Sequence, residues 1–114
     1  MRKINVASFF DGCSGLQLAL HKAGIPIGVY HASEIDPHAI KVTQANFPNT
    51  IQMGDITKIF YTSFNHHIDL MAGGSPCQGF SFAGKQLNFD DPRSKLFFDF
   101  IRILDELLRK YVLL

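Results

Sequence analysis

The run Gly73-Gly74-Ser75-Pro76-Cys77-Gln78-Gly79-Phe80-Ser81 sets one cysteine on a tight loop directly after the apolar residues 68–72. At the carboxyl end of a strand in an α/β sheet, such a loop presents its side chain to a ligand, and a thiol there can act as a nucleophile. The same cysteine would serve equally as a small buried hydrophobe in an ordinary Gly/Pro turn. Three other places carry acids or glycines. Phe10-Asp11-Gly12-Cys13-Ser14-Gly15 lets backbone approach a ligand closely where a helix starts. Glu34 comes 22 positions after Gly12 (34 − 12), near the roughly 20-residue spacing at which dinucleotide folds place the acid that binds ribose hydroxyls. Asp55 follows a third short apolar stretch and is suited to accept from an adenine amino group. A ligand with ribose and adenine satisfies all three, and NAD or S-adenosylmethionine would each do. The first loop is not G-x-G-x-x-G, so a diphosphate has no evident cradle. Each acid could also be a plain helix cap.

Those loops need strands and helices to hold them, and the chain supplies an alternating series. Residues 4–10 (INVASFF) read as a buried strand, and residues 16–23 as a helix that stops at Gly24-Ile25-Pro26. Residues 27–33 (IGVYHAS) read as a second strand. Asp36 is the expected N-cap of a helix that begins at Pro37 and runs to Asn46. A third strand is expected at 50–53, one helical turn and a loop at 58–67, and a fourth strand at 68–72. From Ser94 to Arg109, Phe97, Phe100, Ile101, Leu104 and Leu107 or Leu108 recur at helical spacing. Asp99, Arg102, Asp105 and Lys110 fall on the other, solvated face. Residues 111–114 have the composition of a fifth strand. Strands alternating with helices imply a doubly wound, mostly parallel α/β sheet.

At 114 residues the chain suffices for one domain with a core. Its net charge of +1 carries no nucleic-acid signal, so DNA affinity would have to come from a local patch or another part of the protein. Cys13 and Cys77 lie 64 positions apart, without a C-x-x-C pair or a histidine at ligand spacing. No metal site is expected, and two isolated thiols suit a reducing cytoplasm. His66-His67 read as a solvated loop. No apolar stretch is long enough to span a membrane.

With the motifs in order, the chain resembles the amino-terminal half of the catalytic domain of a DNA (cytosine-5) methyltransferase. Gly74-Ser75-Pro76-Cys77-Gln78-Gly79-Phe80-Ser81 is similar to that family's catalytic Pro-Cys motif. Phe10 to Gly15 is similar to its first cofactor motif, Ser33-Glu34-Ile35-Asp36 to the second and Gly54-Asp55-Ile56-Thr57 to the third. Asp91-Pro92-Arg93-Ser94-Lys95-Leu96-Phe97-Phe98 is similar to the motif after the catalytic loop. The resemblance implies S-adenosylmethionine as cofactor, held by Phe10, Asp11, Gly12, Cys13, Ser14, Gly15 and Leu16 around methionine and ribose. Glu34 would take the ribose hydroxyls, Ile35 would pack on adenine, Asp55 and Ile56 would read its amino edge, and Pro76 and Leu96 would complete the pocket. Cys77 would add as a thiolate to C6 of a flipped cytosine, activating C5 for methylation. Gln78, Ser81 and Lys85 would contact double-stranded DNA. Relatives of this kind serve restriction–modification.

Two features depart from the family pattern. Its first motif usually reads Phe-x-Gly-x-Gly, and Ser14 stands at the second glycine. The family's Glu-Asn-Val motif, its arginine motif and its target-recognition domain are not among these 114 residues. The chain by itself is therefore expected to be inactive, either as the amino-terminal part of one catalytic domain or as a subunit to which a second chain brings the later motifs. A reading from a different class is a non-catalytic module that binds S-adenosylmethionine or a protein.

Overall fold

The structure, a computed structural model, describes residues 2–73 and 92–111, the side chains of residues 92–94 and 109–111 excepted. The chain runs β1 (Ile4–Phe9), α1 (Gly15–Lys22), β2 (Ile27–Ser33), α2 (Pro37–Asn46) and β3 (Ile51–Gln52). Two 3-10 turns (Ile56–Lys58 and Tyr61–Ser63), β4 (Leu70–Gly73) and α3 (Pro92–Tyr111) follow. The strands form one sheet in the order β3-β2-β1-β4, and every described pairing is parallel. This is the expected α/β architecture.

Register makes the sheet useful. Phe9 lies opposite Ser33 on one side and Gly73 on the other, so β1, β2 and β4 all end at one level. The residues that follow β1 and β2 therefore emerge along one edge, beside the end of β4, where an open α/β sheet binds ligands. Gly73 is needed there: a Cβ on it would lie 2.5 Å from the Phe9 carbonyl oxygen.

Alternation along β1 feeds two cores. Ala7 and Phe9 pack with Ile56, Ile59, Phe64 and the α3 residues Ile103 and Leu107. Val6 packs with Leu20 of α1, Tyr30 and Ala32 on the opposite face. The β1–β2 register shifts between Ile4 and Val6, and the Asn5 side chain fills the gap. Its Oδ1 accepts from Val29 N (2.9 Å), while its Nδ2 donates to the His67 carbonyl (2.9 Å). One side-chain amide thus ties β2 to the entry of β4.

Several boundaries shift for local reasons. β1 stops at Phe9 because Phe10 turns to φ 56°. β3 is shorter than 50–53, since the buried Thr50 turns its hydroxyl to Gln17 (3.0 Å). β4 starts at Leu70 because Asp69 is taken by Asn5 N (2.9 Å) and Arg2 (2.9 Å). Asp36 caps α2 as expected, accepting from His38 N at 2.9 Å, and Pro37 opens the helix. The segment 58–67 holds parts of both 3-10 turns. His66 and His67 are exposed there, with His67 3.3 Å from Asp69.

The expected face of α3 is wrong by part of a turn. The residues it packs into the core are the buried Ile103 and Leu107 and the partly buried Leu96 and Phe100, whereas Phe98, Ile101 and Leu108 are exposed. The helix is apolar on more than one side, so periodicity alone could not choose among stripes. Arg102 decides the rotation by turning inward to backbone carbonyls instead of out to water. Tyr111 ends α3 rather than opening a strand, and residues 112–114 lie outside the described residues.

Candidate cofactor pocket

Phe10 is the first residue past β1, and its left-handed backbone (φ 56°) swings the chain across the sheet edge. Asp11 N then donates to the Ser33 carbonyl at 3.2 Å, tying this loop to the end of β2. Gly12 follows at φ 61°, a conformation a side chain would resist. Its N–H donates to Glu34 Oε1 at 2.8 Å. Glu34 Oε2 accepts from Ile35 N (3.1 Å) and Asp36 N (3.0 Å). A carboxylate held by three backbone amides is fixed in place, with lone pairs left for a hydroxyl donor.

Ser33 carries the frame to the next loop, donating to the Gly54 carbonyl at 2.7 Å. Asp55 Oδ1 accepts from Thr57 N and Thr57 Oγ1, each at 2.9 Å. These bonds, the amide first, hold its carboxyl below the usual carboxylate range. Asp55 is thus the cap of the first 3-10 turn as well as a wall of the pocket.

Phe10, Ser33, Glu34, Ile35, Asp55, Ile56 and Leu96 surround one pocket. Five of the residues named for a cofactor from the first three motifs, and Leu96 from α3, meet there. Ile35 is 70% exposed, an apolar side chain left on the surface beside two carboxylates. Around the corner, Ser8, Phe9, Phe10, Asp11, Leu16, Ala72 and Gly73 line a second hollow of about 260 Å³ between the ends of β1 and β4. The two share Phe10.

The rest of the first loop is braced from beneath. Asp11 Oδ1 accepts from Ser8 Oγ and Tyr30 Oη, each at 2.7 Å. Burial pushes the Tyr30 phenol up, so it remains a donor. Asp11 is therefore a brace beneath the loop, its Oδ2 buried with no hydrogen-bond partner among the described residues. Ser14 is buried at φ 67°, its hydroxyl 3.0 Å from Gln17 Oε1. That left-handed backbone explains why a glycine would sit well at this position. Cys13 is exposed, and Gly15 opens α1. Cys77, Pro76, Gln78, Ser81 and Lys85 lie outside the described residues. Arg102 was missed, having read as a solvated helix face, and Ser33 read as the end of a strand and the first residue of the second motif without a role of its own.

The chemistry of the lining separates the two nucleotide ligands. Among the described residues it offers two carboxylates, an apolar slot and no lysine or arginine. The Gly12 amide, which a diphosphate would need, is already given to Glu34. Phosphates beside Glu34 and Asp55 would be repelled, whereas a ligand bringing hydroxyls, an amino group and a flat ring is accommodated. Among the described residues, no group of three or more His, Cys, Asp or Glu is placed to hold a metal ion, and no helix is long and apolar enough to cross a membrane.

Comparison with known proteins agrees with this arrangement. The chain is 40% identical over 109 residues to the type II methyltransferase M.Eco47II of Escherichia coli, covering 95% of this chain and 26% of that protein. It is 44% identical over 112 residues to M1.ScrFI of Lactococcus lactis, covering 98% and 28%. It therefore spans about a quarter of the length of these relatives. Among solved structures, Spodoptera frugiperda DNMT2 superposes with a TM-score of 0.72 at 28% identity, over 92% of this chain and 32% of that one. The Dnmt2 methyltransferase of S. pombe superposes at 0.67 and 26%, over 90% and 32%. The family model for C-5 cytosine-specific DNA methylases matches residues 4–114. The chain belongs to that family.

Proposed function

We propose that these residues are the amino-terminal portion of a single DNA cytosine-5 methyltransferase domain, the part that binds S-adenosylmethionine and supplies the nucleophile. The observation that carries this reading is the convergence of Phe10, Glu34, Ile35, Asp55, Ile56 and Leu96 on one pocket at the carboxyl edge of the sheet. Cys77 follows the end of β4 by four residues (77 − 73).

Glu34, its carboxylate fixed by Gly12, Ile35 and Asp36, binds the ribose hydroxyls. Asp55 accepts from the adenine amino group, with Ile35, Ile56 and Leu96 against the ring. Pro76 completes the pocket. The hollow between the ends of β1 and β4, lined by Phe10, Asp11 and Leu16, would take the methionine arm. When bound, the cofactor supplies an electrophilic methyl group.

The Cys77 thiolate would add to C6 of cytosine, so that C5 can take the cofactor's methyl group as S-adenosylhomocysteine departs, and loss of the C5 proton to a solvent base would then expel the thiolate. Gln78, Ser81 and Lys85 contact the DNA that presents the flipped base. The relatives are about four times longer, so turnover is proposed for a protein of that length or for an assembly with a second chain. These 114 residues bind cofactor without turning it over.

The test is methyl transfer to DNA by such a complete protein. Label should appear at C5 of cytosine, and Cys77→Ser should remove most of it while leaving S-adenosylmethionine binding nearly intact. Methylation by Cys77→Ser at the parent rate would refute the nucleophile.

A further inference from the structure

Arg102 sits on α3, six residues after Leu96, and its half-buried guanidinium reaches across to the 3-10 turns. Nη2 donates to the backbone carbonyls of Ile56 (3.3 Å) and Ile59 (3.0 Å). These carbonyls belong to the first 3-10 turn and the residue after it. Short turns leave carbonyls that no continuing helix satisfies, and buried ones need another donor. Ile59 is 2% exposed, and the Arg102 bond to its carbonyl is partly buried.

The remaining contacts hold the guanidinium at a fixed angle. Nη1 donates to Glu106 Oε1 at 2.8 Å, and Nε and Nη2 each lie 3.4 Å from Asp99 Oδ1. Its carbon stands 5.0 Å from the centre of the Phe60 ring. Glu106 Oε2 in turn accepts from Tyr61 N at 3.2 Å, so the same cluster grips the second 3-10 turn. A planar fork can serve two carbonyls and two carboxylates together, and an ammonium cannot.

What this cluster holds is the wall of the pocket. The turn it grips begins at Asp55 and carries Ile56, while α3 delivers Leu96 to the facing wall. The Arg102 fork is thus the polar tie between the two walls. A shift of that turn along α3 would change the spacing between the Asp55 carboxylate and Leu96, and with it the fit of a purine's amino edge.

We propose that Arg102 is a positioning residue for base recognition, which makes the pocket select a 6-amino purine by locking the Asp55–Ile56 turn against α3. This rests on the adenosyl reading of the pocket and adds the residue that gives it selectivity. Arg102 touches no part of the ligand itself.

The test compares equilibrium binding of S-adenosylhomocysteine and S-inosylhomocysteine, which differ at the purine 6-position, to the parent chain and to Arg102→Met and Arg102→Lys. The parent should prefer the adenosyl ligand. Arg102→Met should shrink that preference by about tenfold, the worth of one good hydrogen bond, by losing adenosyl affinity selectively. Arg102→Lys should recover only part of the preference. General loosening of the fold would weaken both ligands alike and leave the ratio unmoved, so an unchanged ratio in Arg102→Met overturns the proposal. Should Arg102→Met fail to fold, Arg102→Lys decides, a full parental ratio there being the contrary result. Failure of the parent chain to bind either ligand would instead remove the pocket reading itself.

Discussion

Ser14 stands where a glycine is usual, and the structure shows both sides of that exchange. Its φ of 67° strains a residue with a Cβ, while its hydroxyl bond to Gln17 and the Thr50 bond to the same oxygen knit α1 to the start of β3. Left-handed backbone costs a non-glycine residue about 1–2 kcal/mol, and a neutral hydrogen bond contributes about 1 kcal/mol. Ser14→Gly gives up the bond and the strain together and should leave stability nearly unchanged. Ser14→Ala keeps the strain and loses the bond, so it should cost about 1 kcal/mol, read as a fall in the urea midpoint. At this scale much of the pocket was legible. Glu34 and Asp55 announced themselves by falling just after strands, because carboxylates at strand ends face ligands or amides and little else. Asp11 looked equally like a ligand residue, yet its carboxylate turns beneath the loop to Ser8 and Tyr30. Nothing in one sequence says which of two neighbouring acids turns inward.

Among the elements, β1, β2 and the first two helices could be read nearly residue by residue, since β-branched runs broken by Gly and Pro leave few choices. The rotation of α3 could not. Its apolar residues cover more than one face, and the choice among stripes depends on Arg102 meeting carbonyls more than 40 positions away in sequence. Substitutions separate the stripes. Ile103 is 0% exposed, so Ile103→Ala should cost about 2–5 kcal/mol. Ile101 is 42% exposed, so Ile101→Ala should stay within about 0.5 kcal/mol. Equal losses from the two in chemical denaturation would mean that the helix is turned otherwise.

Over the whole molecule, one sheet brings the ends of β1, β2 and β4 to a common edge, and stability and site depend on the same packing. His31 lies within that packing, 3% exposed, between the edge of the Phe64 ring and the Val6 carbonyl. A carbonyl can only accept, so Nδ1 carries the proton of a neutral imidazole. Burial lowers the His31 pKa below its ordinary 6.5, with His66 nearby acting in the same sense. The unfolded chain therefore takes up a proton before the folded one does. The stability this residue contributes is complete above pH 6.5 and is lost as pH falls below it toward the folded pKa. Urea midpoints should drop from about pH 7 to about pH 5, and His31→Gln should flatten that drop.

The central claim is that the three strand-end loops form a pocket for an adenosyl cofactor, and calorimetric titration of the chain with S-adenosylmethionine tests it most directly. Saturable one-to-one binding is predicted, abolished by Glu34→Ala and not reproduced by NAD. No heat at millimolar cofactor, or equal binding by Glu34→Ala, would contradict it.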